Sequence, residues 1–132
     1  MVALLPASAE DLAALRDGML AIGIEDMPDW MRAGQPPKTE TVTTLACNGQ
    51  KFATVWAWVS EGNRTLVVNA LVSHVKANIL PLIERGITTL ADRRHCIRVR
   101  FFTNRRGMVE RMRGMGCSVD GVSMSKIIVP IM

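Results

Sequence analysis

Residues 41–72 read TVTTLACNGQKFATVWAWVSEGNRTLVVNALV, and this stretch decides the fold class. Thr41 to Cys47 is rich in β-forming residues. Asn48-Gly49 follows, the dipeptide of a two-residue hairpin, because both residues tolerate positive φ. Phe52 to Val59 is the next strand and carries Val55, Trp56 and Trp58. Glu61-Gly62-Asn63 makes a second turn, and Thr65 to Val72 a third strand. The stretch predicts an antiparallel meander.

Downstream, the period changes. Ile79, Ile83, Ile87 and Leu90 recur at helical spacing beside Leu80 and Leu82, which predicts a buried helix face. Pro81 must fall in the first turn of that helix. Ile97, Val99 and Phe101 then alternate with Arg98, Arg100 and Phe102, a strand with one apolar face. Asn104 is placed to cap a helix with Met108, Val109, Met112 and Met115 inside, stopped at Gly116. Cys117 to Val129 reads as a closing pair of strands turning at Asp120-Gly121.

Upstream, Val2 to Leu5 is a short strand ended by Pro6. Ser8 sits three before Asp11 in a capping-box arrangement, ahead of Leu12, Leu15, Met19 and Ile22 on one helix face. Gly23 ends or loosens that helix. Pro28, Asp29 and Trp30 open a short second helix with Met31, and Gly34 to Pro37 breaks the chain. A helix between two strands implies a parallel pair. The prediction is therefore an α/β (α+β) domain with a mixed central sheet. Its antiparallel meander is followed by a β-α-β parallel pair, and about four helices flank the sheet.

The 132 residues make one domain's worth of core, and apolar residues near half with charges near a fifth fit a folded soluble chain. The opening residues lack a basic n-region, and no apolar run approaches the roughly 20 residues of a spanning helix. A cytoplasmic protein with no membrane contact is expected, or one packed from the cytoplasm into a larger assembly such as a virion. Cys47, Cys96 and Cys117 are odd in number and far apart, which fits a reducing compartment. His74, His95 and Cys96 lack zinc spacing, so no metal site is expected.

Charge is uneven. Glu10, Asp11, Asp17, Glu25, Asp26, Asp29 and Glu40 dominate the first forty residues, whereas Arg93 to Arg113 holds eight arginines and one carboxylate, Glu110. This asymmetry implies either an anionic partner or association of acidic and basic faces. Arg98 and Arg100 alternate onto one strand face, and Arg105 and Arg106 follow in the next helix, so nucleic acid through the Arg93–Arg113 region is one partner class. Trp56 and Trp58, two apart, face one side as core or as an apolar interface. Trp30, beside Pro28 and Asp29, is a candidate contact residue. Glu25, Asp26 and Asp29 read as an acidic loop, and no catalytic residue is assigned.

The order of elements resembles the GNAT superfamily of N-acetyltransferases over nearly the whole chain. Three pieces carry the likeness: residues 5–12 (LPASAEDL) as the opening strand and first cap, the meander ending Leu71-Val72-Ser73, and Thr103-Asn104 with Met115-Gly116-Cys117. The resemblance implies acetyl-CoA as cofactor, lying at the splay between Val72 and Phe102 with Ser73 and Asn104 nearby. Two departures matter. The family's loop after the fourth strand places backbone N–H groups against the cofactor pyrophosphate and needs glycines for close approach. The corresponding residues 73–81 (SHVKANILP) have none. The family's usual proton donor is a tyrosine in the fourth helix; this chain has no tyrosine, and Met112 falls at that position.

A narrower likeness is to short GNAT-like internal virion and accessory proteins of short-tailed bacteriophages, in length, degraded loop and arginine-bearing fourth helix. The sequence reading therefore favours a non-catalytic phage-type virion or accessory protein that contacts other protein subunits. The alternatives are a divergent acyl-CoA-dependent N-acetyltransferase and a basic nucleic-acid-associated module.

Overall fold

The turn at Asn48-Gly49 sets the register of everything around it. Both residues have positive φ, 52° and 81°, the twist of a type I′ hairpin. In the computed structural model, which describes residues 2–21, 28–33, 40–60, 62, 64–76 and 79–101, that turn joins β2 (Glu40–Cys47) to β3 (Gln50–Ser60). β4 (Thr65–Ser73) continues the meander. β1 (Val2–Pro6) pairs antiparallel with β2 on the other edge. α3 (Leu80–Arg93) carries the chain back so that β5 (Arg98–Phe101) lies parallel to β4. The sheet order β1-β2-β3-β4-β5 follows the chain. α1 (Ala9–Ala21) and α2 (Asp29–Ala33) connect β1 to β2.

The predicted fold class holds: a mixed sheet with an antiparallel meander and one β-α-β parallel pair. The capping box forms as read, with Ser8 N–H donating to Asp11 Oδ2 at 3.0 Å and Asp11 N–H to Ser8 Oγ at 3.2 Å. Pro81 sits in the first turn of α3, where no intrahelical N–H is lost. The Asn104 helix and the closing strands lie outside the described residues, as do Ile22, Gly23 and the breaker at Gly34 to Pro37.

Two apolar layers cover the sheet. On one face, Leu80, Ile83, Ile87 and Leu90 of α3 pack on Leu45, Val55, Leu66, Val68 and Leu71. Gly86 lets α3 come close: a Cβ built there would lie 2.6 Å from Leu45 Cδ1. On the other face, Leu15 and Met19 of α1 and Met31 of α2 meet Ala70, Val42 and Trp56. Trp30 stands edge-on to Trp56, ring centroids 5.3 Å apart at 83°.

Two β-bulges tune these faces. Leu45 pairs with Ala53 and Ala46 with Lys51, so Phe52 is the extra residue on β3. Trp56 pairs with Ala70 and Ala57 with Val68, so Asn69 is the extra residue on β4. The second bulge inverts the alternation of β4. Leu66 and Val68 face α3, and so does Leu71, while Ala70 and Val72 face α1.

One expectation fails. Ile97 was placed on the apolar face of the fifth strand, yet it is 78% exposed. The ladder starts one residue later, at Thr65↔Arg98. Ile97 N–H bonds Arg64 C=O at 2.9 Å beyond the last turn of α3, where no described residue covers it. Val99 does join the α3-side core, as predicted.

Candidate functional site

The chain leaves β4 through Ser73-His74-Val75-Lys76, and this connection is held by side chains rather than by glycines. Ser73 Oγ donates to Val75 C=O at 2.6 Å and accepts from Val75 N–H at 3.2 Å, a local serine turn. His74 N–H donates to Phe52 C=O at 2.8 Å, the bulged residue of β3. Val72 is half-buried on the α1 face.

From His74 a polar chain runs across the sheet to α1. His74 Nε2 lies 2.7 Å from Thr54 Oγ1, Thr54 Oγ1 lies 2.9 Å from Thr44 Oγ1, and Thr44 Oγ1 donates to Asp11 Oδ2 at 2.8 Å. Lys51 Nζ donates to the same carboxylate oxygen at 3.1 Å, and His74 Nε2 is 3.8 Å from Asp11 Oδ1. Thr44 and Thr54 are fully buried, and Asp11 is 5% exposed. Burial pushes the Asp11 pKa up, but hydrogen bonds from the Ser8 backbone, Thr44 and Lys51 outweigh it and hold the carboxyl at about 2. Asp11 is thus an ionised, fully partnered group inside the fold.

The sequence reading missed this constellation. Asp11 was seen only as half of a cap, and His74 was set aside for lacking metal spacing. A two-residue hairpin without a bulge would oppose Thr44 to Ala53. The extra residue Phe52 brings Thr44 opposite Thr54 instead. Two threonines on the covered side of neighbouring strands were the available sign, since buried hydroxyls need partners.

Of the predicted contact residues, Arg98 is exposed and Arg100 half-buried, on the face opposite Val99. Trp58, Val67 and Arg100 lie in one cross-strand row, and Trp58 is 38% exposed while Trp56 is packed. Trp30 is half-buried against Trp56. Asn104, Arg105 and Arg106 lie outside the described residues. The β4–β5 pairing is described from Thr65↔Arg98 to Val68↔Phe101, and Phe101 is the last described residue.

No protein-family model and no curated protein matches the chain. Solved structures do. A ribosomal-protein-alanine N-acetyltransferase from Brucella melitensis biovar Abortus 2308 superposes with a TM-score of 0.65 at 17% identity, covering 94% of this chain and 96% of that one. A possible acetyltransferase from Clostridium difficile 630 gives 0.64 at 10% identity, covering 94% and 95%. The fold is that of the GNAT acetyltransferases. A transcriptional regulator from Bacillus halodurans C-125 is also similar, with a TM-score of 0.58 at 13% identity over 94% of this chain and 99% of that one. The GNAT fold by itself therefore leaves the activity to be argued from the site. Among the described residues no helix is long and apolar enough to cross a membrane.

Proposed function

We propose that this GNAT-fold chain binds an acyl-CoA along β4 and is a divergent acyl-CoA-dependent N-acyltransferase. The observation that carries this reading is the bulge at Asn69 in β4, the strand that pairs with β5. A bulge bends its strand and re-aims the residues that follow it, and bulges concentrate beside active sites. The pantetheine arm of coenzyme A is an extended ligand with amide groups along its length, suited to lie against β4 where the strand bends. Val72 and Ser73 continue β4 from the bulge, and Asn104 follows β5 in the chain. Beyond the strand's end Lys76 is exposed and is a cation for the diphosphate where the family uses glycine backbone, while Lys51 is held by Asp11 at 3.1 Å.

Calorimetric titration with acetyl-CoA and with free CoA at low salt tests the reading. Saturable micromolar binding, weakened by N104A, is the expected result. No heat and no thermal stabilisation at millimolar ligand overturns it.

A second reading keeps the fold without the chemistry: a phage-type virion or accessory protein acting through protein contacts. It is favoured by the absence of any tyrosine in the 132 residues. Stable association into larger particles without CoA binding supports it.

A further inference from the structure

The start of β4 and β5 gathers arginines that lie far apart in the chain. Arg64, in the β3–β4 turn, donates from Nε to His95 C=O at 3.0 Å, and its own C=O accepts from Ile97 N–H at 2.9 Å. The turn is thereby tied to the α3–β5 connection, and Arg64 joins Arg93, Arg94 and Arg98 at one end of the sheet. All four are exposed, and among the described residues none pairs with a carboxylate. Asp92 is the single acidic residue from Gly86 to Phe101; Glu61, in the turn, lies outside the described residues. All four cations are arginine, whose planar fork matches phosphate oxygens. Ile97, between Arg94 and Arg98 in the chain, is 78% exposed.

An aromatic ring shares this end. Trp58, Val67 and Arg100 form a row on the α1 side of the sheet, and Ser60, Thr65 and Arg98 form the next row on that side. Leu15, Met19 and Met31 pack further along, around Val42, Trp56 and Ala70, and leave Trp58 38% exposed. Strand spacing puts Trp58 and Arg98 about 12 Å apart, within the span of a base on one and its flanking phosphate on the other. We propose that this face binds single-stranded nucleic acid: a base stacks on Trp58, and the backbone runs past Arg98 towards Arg64 and Arg94. An acidic protein surface is the competing occupant. The exposed indole beside the guanidiniums favours bases, because every base has a π-face to stack. β4 spans nine residues, so this end lies about 25 Å from the Ser73–Lys76 connection, and the proposal does not rest on the cofactor reading.

The test titrates the full chain at low salt with oligo(U) and oligo(dT) of about 12 nucleotides, a duplex of the same length, and poly-glutamate. At least one single strand is expected to bind and to quench tryptophan emission, with duplex and poly-glutamate weaker by about tenfold. Tighter oligo(U) assigns RNA and tighter oligo(dT) assigns DNA; both support the site. W58A weakens binding about tenfold, and W58F keeps most of the affinity but loses the quenching. R64A and R98A each flatten the slope of log affinity against log salt by about 0.7. R85A, an exposed arginine on the α3 side, leaves both unchanged. Urea unfolding checks each variant; should W58A fail to fold, W58F and R98A decide. No binding of either strand at about 100 μM, full affinity in W58A together with quenching in W58F, or poly-glutamate or duplex bound as tightly as the single strands overturns the proposal.

Discussion

Gly86 of α3 and Leu45 of β2 touch so closely that a single added methyl has no room: an ideal Cβ at residue 86 falls 2.6 Å from Leu45 Cδ1. Leu45 is fully buried, so its side chain must shift within a packed core. G86A gains about 1 kcal/mol of helix propensity and loses about 1–3 kcal/mol to overpacking. The net expectation is a loss of about 1 kcal/mol in urea unfolding. The penalty shrinks in an L45V background, because the two residues couple directly. Equal penalties in both backgrounds would show that the contact is not tight.

Acid stability should report Asp11. Its folded pKa of about 2 lies below the ordinary 3.8, so it contributes stability that is present above pH 4 and lost as pH falls towards 2. The depression corresponds to about 2 kcal/mol at neutral pH. D11N is expected to be less stable than wild type at pH 7, with the difference closing between about pH 4 and pH 2. Urea unfolding at stepped pH measures it, and a pH-independent difference would mean the lost cap alone matters.

The Asn69 bulge makes a sharp prediction about backbone length. Deleting Asn69 removes the extra residue and leaves Val68 opposite Ala57, Ala70 opposite Trp56 and Leu71 opposite Val55, so every side chain of β4 keeps its face. The deletion is expected to keep cooperative unfolding, whereas deleting Ala70 instead puts Asn69 on the α1 face where Ala70 packs and is expected to destabilise the fold. Near-ultraviolet circular dichroism and urea unfolding distinguish the two. Loss of cooperative unfolding in the Asn69 deletion would mean that the core needs the bend of the bulge itself.

Trp30 and Trp56 form the aromatic half of the α1-side cluster. W30A removes an edge contact worth about 0.5–1.5 kcal/mol beyond its buried area. It is expected to destabilise by about 2–3 kcal/mol and to shift tryptophan emission to the red. Unchanged emission would place Trp56 out of reach of Trp30 in solution.

The fold was readable in the sequence because the signals were local. Asn48-Gly49 announced a hairpin, Ile79 to Leu90 a helix, and Ser8 with Asp11 a cap. The same locality hid the site. The polar chain joins residues up to 40 positions apart, and its alignment depends on the bulge at Phe52, for which the sequence carries no turn residue or glycine. Ile97 was misplaced for a related reason. Alternation gives the face of a residue but not the first rung of the ladder, which a bond to Arg64 sets.

The sheet order has a consequence for how the chain folds. β2, β3 and β4 are neighbours in sequence and in space, so short loops close them at little entropic cost. β1 reaches β2 only across the two helices, and β5 reaches β4 only after α3 has been laid down. The central meander is therefore the natural nucleus, and both outer strands dock late. Core substitutions at Val55 should slow refolding, whereas those at Val99 should mainly speed unfolding.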